Sequence, residues 1–177
     1  MKAVIPVVVI KDAADTVKTL EALRAGGINR AEITFRTACA EEAIRTGCAA
    51  FPDMEIGAGT VINAAQAKRA AEAGARFIVS PGFAEDVAEF CAERGMTYYP
   101  GCVTPTEIMR ALAHGLNVVK FFPAAEYGGI ATMKALSAPF PQVRFIPTGG
   151  VSLANLKEYL DFDKVVALSE QMVKEDP

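Results

Sequence analysis

Hydrophobic residues along this chain alternate between two textures. Short runs dense in Val, Ile, Phe and Tyr occur at 3–10 (AVIPVVVI), 31–36 (AEITFR), 55–61 (EIGAGTV), 77–81 (FIVSP), 97–102 (TYYPGC), 118–124 (VVKFFPA), 144–149 (RFIPTG) and 165–169 (VVALS). Longer alanine-rich stretches lie between them, at 12–25, 38–50, 63–73, 84–94, 105–114, 129–138 and 152–160. Their apolar positions recur every three or four residues, as in Ala13, Val17 and Leu20 or Ala64, Ala67 and Ala71. The short runs read as strands and the long stretches as helices. Punctuation agrees: Gly26-Gly27, Gly74, Gly95 and Gly115 follow helix ends, while Asn63 and Thr104-Pro105 open helices.

Eight strands and seven helices in strict alternation, with no linker or change of composition, predict one α/β domain over 1–177. Strands that are apolar throughout belong to a parallel sheet covered by helices. A closed (β/α)8 TIM barrel fits the count, and a doubly wound open sheet is the alternative. The chain is short for a barrel of ~250 residues. Strand 3–10 begins almost at Met1, and only Glu170 to Pro177 follow strand 165–169. The barrel is therefore expected to lack the helix before its first strand and the helix after its last. Another subunit would cover that flank, unless the chain is cut down.

Composition narrows the function classes. The net charge of −3 is spread over both signs, with no basic cluster and no acidic tail, which argues against nucleic acid or an anionic membrane as partner. No stretch approaches the ~20 apolar residues of a membrane span. The opening apolar run is broken by Pro6 and ended by Lys11-Asp12, a strand rather than a signal peptide, so a cytoplasmic location is expected. Cys39, Cys48, Cys91 and Cys102 are scattered and expected to be reduced core residues. The single histidine, His114, precedes Gly115 at a helix end, where it faces the helix dipole. One histidine and no Cys/His cluster leave little from which to build a zinc site, and no metal is expected.

Two strands break the apolar rule. Alternation puts Glu32, Thr34 and Arg36 on one face of AEITFR, and puts Lys120 on one face of VVKFFPA with Val118 and Phe122. A buried charge without a partner is costly, so Glu32 and Lys120 are expected to meet inside the barrel. Such a pair could simply plug the barrel. Equally, a desolvated lysine favours its neutral amine, the form that attacks a carbonyl. Glycine-rich turns, Gly57-Ala-Gly-Thr60 after the third strand and Thr148-Gly149-Gly150 after the seventh, let backbone N–H groups approach a ligand. Barrels often hold phosphate after strands seven and eight, where Gly149 and Gly150 fall, ahead of a helix expected to open at Ser152.

The stretches Gly27 to Arg36 (GINRAEITFR) and Gly115 to Gly128 (GLNVVKFFPAAEYG) resemble the two signatures of the 2-keto-3-deoxy-6-phosphogluconate (KDPG) / 2-keto-4-hydroxyglutarate (KHG) aldolase family. The likeness continues through GAGTV, FIVSPG, PGCVTPTE and PFPQVRFIPTGGV, to about residue 167. It implies a class I aldolase that cleaves KDPG to pyruvate and glyceraldehyde 3-phosphate, an Entner–Doudoroff reaction. It further implies a homotrimer with no metal and no organic cofactor. By position, Lys120 would form the Schiff base and Glu32 would be the general acid/base. Arg36 and Thr60 would bind the pyruvate carboxylate, and Gly149 and Gly150 the phosphate. The tail departs from the family, whose eighth strand ends in a Gly-Gly-Ser-Trp-like loop; here it reads Ala167-Leu-Ser-Glu-Gln-Met172. Ser169 would stand in for the family serine, and Glu170 would bring a carboxylate towards the phosphate. This departure supports a second reading, a catalytically weak structural trimer or engineered assembly subunit built on the barrel. A retro-aldol assay with pyruvate detection separates the two.

Overall fold

The computed structural model describes residues 3–171. The tail expected after Gln171 lies outside the described residues. Within them, eight strands and seven α-helices alternate in the predicted order. The strands are β1 (Ala3–Val8), β2 (Arg30–Thr34), β3 (Glu55–Gly59), β4 (Phe77–Val79), β5 (Thr97–Tyr99), β6 (Val118–Phe121), β7 (Arg144–Pro147) and β8 (Ala167–Gln171). The helices are α1 (Thr16–Ala25), α2 (Ala40–Ala50), α3 (Ala64–Glu72), α4 (Glu85–Arg94), α5 (Pro105–Ala113), α6 (Gly129–Ser137) and α7 (Leu156–Asp161).

All strand pairs are parallel, and six form a sheet in the order β5-β4-β3-β2-β1-β8, with β6 and β7 as a separate pair. Bridges Gly101–Lys120, Phe145–Val165 and Thr148–Ser169 join the two pieces on both sides. The ring is therefore closed, and the chain is a (β/α)8 barrel rather than an open sheet. Alternation divides its side chains. Ile33, Ile44, Ile56 and Ile78 pack between the first strands and their helices, and Val119, Phe121, Phe145 and Met133 do so in the second half. Ile5, Phe77, Val79, Ile146 and Ala167 fill the interior.

Helix boundaries follow local chemistry. Asn63 caps α3 by accepting from the Gln66 N–H at 2.9 Å, and Thr104 and Glu107 form a reciprocal capping box on α5 with Pro105 in its first turn. His114 caps the end of α5, with Nε2 3.5 Å from a Glu85 oxygen. Many boundaries fall one to three residues from expectation, and three elements differ more in kind or position. The first helix begins as a separate 3-10 turn at Ala13–Asp15, capped by Asp12. The last helix starts at Leu156 instead of Ser152, because the Asn155 side chain accepts from the Ser152 N–H and donates to the Gly150 carbonyl. Those two bonds hold 152–155 as a turn. Strand β8 lies two residues later than expected and includes Glu170, in register with β1 from Ala3–Ala167 to Val7–Gln171.

Candidate active site

The interior pair expected from the sequence forms. Lys120 Nζ on β6 lies 3.3 Å from Glu32 Oε1 on β2, with the two side chains only 4 % and 1 % exposed. Both strands reach this point for the same reason. Their odd-facing neighbours, Ile33 on one and Val119 and Phe121 on the other, are anchored under the helices, which turns Glu32 and Lys120 inward. The Phe122 ring lies 5.3 Å from Lys120 Nζ. Around the pair, Tyr99, Thr148, Ser169, Ile5, Val79 and Ile146 line a cavity of about 10 Å³. That is room for about one water-sized group.

Glycine makes space for the carboxylate. A Cβ on Gly59 would overlap Glu32 Oε1, Cγ and Cδ, so the Glu32 side chain can lie against β3 only where that strand has no side chain. Gly57, one inward position earlier on the same strand, is covered by the Phe77 ring in the same way.

At the mouth, Arg36 Nε donates to Thr60 Oγ1 at 3.0 Å. The two residues proposed for one carboxylate thus sit together, just beyond the ends of β2 and β3. Thr60 has φ of 55°, and among the described residues it is the one non-glycine in the left-handed region. A β-branched residue there is strained by about 1–3 kcal/mol, a cost that recurs where a side chain is held for a ligand. On the other side of Lys120, Gly149 (φ 88°) and Gly150 (φ 79°) turn the chain after β7. Ser169 pairs through its backbone with Thr148, directly before that turn. Its side chain points into the barrel, and Oγ is buried with no hydrogen-bond partner. Glu170 reaches the turn instead, with Oε2 accepting from the Val151 N–H at 2.9 Å.

Sequence reasoning passed over Tyr99, Thr148 and Gly59. Inward alternation in TYYP and the threonine of PTGG were the available signals for the first two. Gly59 had none beyond belonging to a glycine-rich turn. The cysteines are free; burial raises the Cys91 thiol to about 11 and pushes Cys102 higher still, so both are inert apolar fillers. Among the described residues no group of three or more His, Cys, Asp or Glu is arranged to hold a metal, and no helix is long and apolar enough to cross a membrane.

Three comparisons bear on this site. A family model described as KDPG and KHG aldolase matches residues 1–176. A 2-dehydro-3-deoxy-phosphogluconate aldolase from Treponema pallidum is 49 % identical over 167 residues, 93 % of this chain and 78 % of that protein. The KDPG aldolase of Legionella pneumophila, solved with pyruvate captured as a covalent carbinolamine, superposes with a TM-score of 0.92 at 43 % identity, covering 96 % of this chain and 82 % of that one. The 2-keto-3-deoxy-6-phosphogluconate aldolase of Zymomonas mobilis, solved with 3-phosphoglycerate, gives 0.93 at 39 % identity, covering 99 % and 84 %.

Proposed function

The chain belongs to the KDPG and KHG aldolase family, and from that premise we propose that it is a class I aldolase cleaving 2-keto-3-deoxy-6-phosphogluconate to pyruvate and glyceraldehyde 3-phosphate, with Lys120 as nucleophile. The observation that carries the reading is the buried lysine–carboxylate pair at 3.3 Å, in a chain whose relatives are named as aldolases.

Lys120 Nζ attacks the C2 carbonyl of the substrate; Glu32 passes the amine proton to the carbonyl oxygen, and a second proton, drawn from solvent through Glu32, lets that oxygen leave as water to give the iminium. The resulting iminium is an electron sink. Glu32, directly or through a water, then removes the C4 hydroxyl proton. The C3–C4 bond breaks, its electron pair enters the iminium to give the enamine, and the aldehyde leaves. Protonation of the enamine at C3 and hydrolysis by water return pyruvate and free Lys120. Arg36 and Thr60 hold the C1 carboxylate by charge-assisted hydrogen bonds, and the Gly149–Gly150 turn faces the phosphate end. Ser169, buried beside Lys120, has a supporting role in the interior.

Because the iminium supplies the electron sink, the reaction needs neither metal nor organic cofactor, and turnover is expected to persist in EDTA. The whole site is carried by one domain over 1–177, working in the cytoplasm. The same reading includes a homotrimer. Light scattering should then give the mass of three 18.8 kDa chains.

Borohydride reduction in the presence of pyruvate tests the nucleophile. A pyruvyl-derived mass on Lys120 is expected. Label on Lys134 or another lysine, with Lys120 unmodified, refutes the assignment.

A further inference from the structure

The turn after β7 is built to present backbone donors. Gly149 and Gly150 both take left-handed φ, and a Cβ on Gly150 would overlap the Cβ of Ala125, so the turn lies hard against the loop after β6. Barrels frequently hold a phosphate at the loops after strands seven and eight. Arg36 and Thr60 lie beyond β2 and β3, on the other side of Lys120 in the ring. A 2-keto acid whose C1 carboxylate is held by Arg36 and Thr60 therefore extends its far end towards this turn.

Two donors just past the glycines already have partners. The Val151 N–H is bound by Glu170 Oε2 at 2.9 Å, while the other carboxylate oxygen accepts from the Gln171 N–H at 3.1 Å. The carboxylate is thus fixed by two backbone groups, one from the turn and one from β8. The next donor, the Ser152 N–H, is taken by Asn155 Oδ1 at 2.8 Å. The surroundings are negative as well. The Tyr159 hydroxyl is held above its ordinary pKa by burial first, then by Glu158, Glu126 and Glu170. Its ring approaches Gly129, at the base of the same loop cluster.

We infer that Glu170 sets tail specificity in this aldolase: its carboxylate occupies an anion-binding donor of the Gly149–Gly150 turn and so weakens selection for phosphorylated over unphosphorylated 2-keto-3-deoxy acids. The inference rests on the aldolase reading above. A phosphate dianion must either displace a bound carboxylate or share the turn with it, losing a charge-assisted hydrogen bond and meeting a like charge. A neutral hydroxymethyl end suffers no such repulsion, and its hydroxyl can donate to Glu170.

The experiment compares kcat/KM for 2-keto-3-deoxy-6-phosphogluconate and its unphosphorylated analogue in the native chain, in Glu170→Gln and in Glu170→Gly. Removing the charge, and then the side chain, should raise the phosphorylated-to-unphosphorylated ratio stepwise, by roughly ten- to a hundredfold for the glycine variant. Inorganic phosphate should inhibit both variants at lower concentration than it inhibits the native chain. If the glycine variant fails to fold, Glu170→Gln and the phosphate titration decide alone. Pyruvate trapping on Lys120 runs alongside as the control. Trapping with an unchanged ratio and unchanged phosphate inhibition overturns the role of Glu170 and leaves the aldolase reading standing. Absence of both trapping and turnover in the native chain overturns the aldolase reading and this inference with it.

Discussion

At the scale of single residues, the proposed chemistry depends on a carboxylate held where water is scarce. Glu32 has one oxygen on Lys120 and its stem against Gly59, so it can exchange protons with the amine and with little else nearby. Glu32→Gln keeps shape and hydrogen bonding but cannot carry a proton, and turnover is expected to fall by roughly 10²–10⁴. Steady-state pyruvate release measures this, and near-normal turnover would reduce Glu32 to a structural partner of Lys120. Thr60 makes the opposite trade. Its left-handed backbone is a strained choice for a β-branched residue, whereas glycine adopts it freely. Thr60→Gly should therefore stabilise the fold by up to about 1 kcal/mol in urea denaturation while weakening pyruvate capture, since Arg36 loses the hydroxyl that orients it. A variant less stable than the native chain would show that Thr60 is unstrained. Glu32, Lys120 and Arg36 stood out in the sequence as polar groups on apolar strands, whereas Thr60 was singled out by the family resemblance. The reason for Gly59 was not legible, since it depends on what the neighbouring strand places against it. Nor was the partner of Glu170, which rests on a hydrogen bond between segments 19 residues apart.

At the scale of elements, order and type were legible throughout because the period-two and period-3.6 patterns are strong here and the caps are local. The boundaries that moved did so through side chains acting a few residues away, as Asn155 does in delaying α7 and Asp12 in opening a 3-10 turn. Barrel closure followed from the count of eight strands, whereas the ion pairs between helices were not legible, because they depend on three-dimensional neighbours. One such pair offers a test. Glu41 at the start of α2 accepts from Arg45 on its own helix at 2.9 Å and from Arg69 on α3 at 2.7 Å. The Arg69 hydrogen bond, followed by that of Arg45, holds its carboxyl below the ordinary 4.5. A depressed carboxyl contributes stability above the unfolded-state value and loses it as the pH falls through the folded one. Glu41→Gln should thus be slightly less stable than the native chain at pH 7, by a small margin because the group is exposed. The difference should close as the pH drops below about 4.5. Parallel stability curves for the two proteins across that range would remove Glu41 from the tie between α2 and α3.

At the scale of the whole molecule, the barrel is two unequal pieces joined by thin seams, and the proposed chemistry spans one of them. Six strands form one sheet and β6–β7 form another. On one side the pieces meet through the Lys120 N–H bonded to the Pro100 carbonyl at 2.8 Å and the Cys102 N–H bonded to the Lys120 carbonyl at 2.9 Å. On the other, Phe145 donates to the Lys164 carbonyl at 2.8 Å and accepts from the Val166 N–H at 3.0 Å. Lys120 thus carries the proposed nucleophile on its side chain and a seam on its backbone. Its Glu32 partner, together with Arg36 and Thr60, belongs to the six-stranded piece, so a substrate bound covalently to Lys120 and held by Arg36 ties the two pieces together. Seams with few hydrogen bonds open at lower free energy than the continuous ladder between β2 and β3, where five consecutive residues from Arg30 to Thr34 pair with Glu55 to Gly59. Native-state hydrogen exchange should therefore show the Lys120, Cys102, Phe145 and Val166 amides exchanging through a smaller opening than those of β2 and β3. Reduction of the pyruvate adduct should slow the Lys120 and Cys102 amides most, because the adduct reaches from β6 to the mouth of β2 and β3. Equal protection around the ring, or an adduct that leaves the Lys120 seam unchanged, would mean that the barrel opens as one unit and that the substrate spans no mechanical boundary.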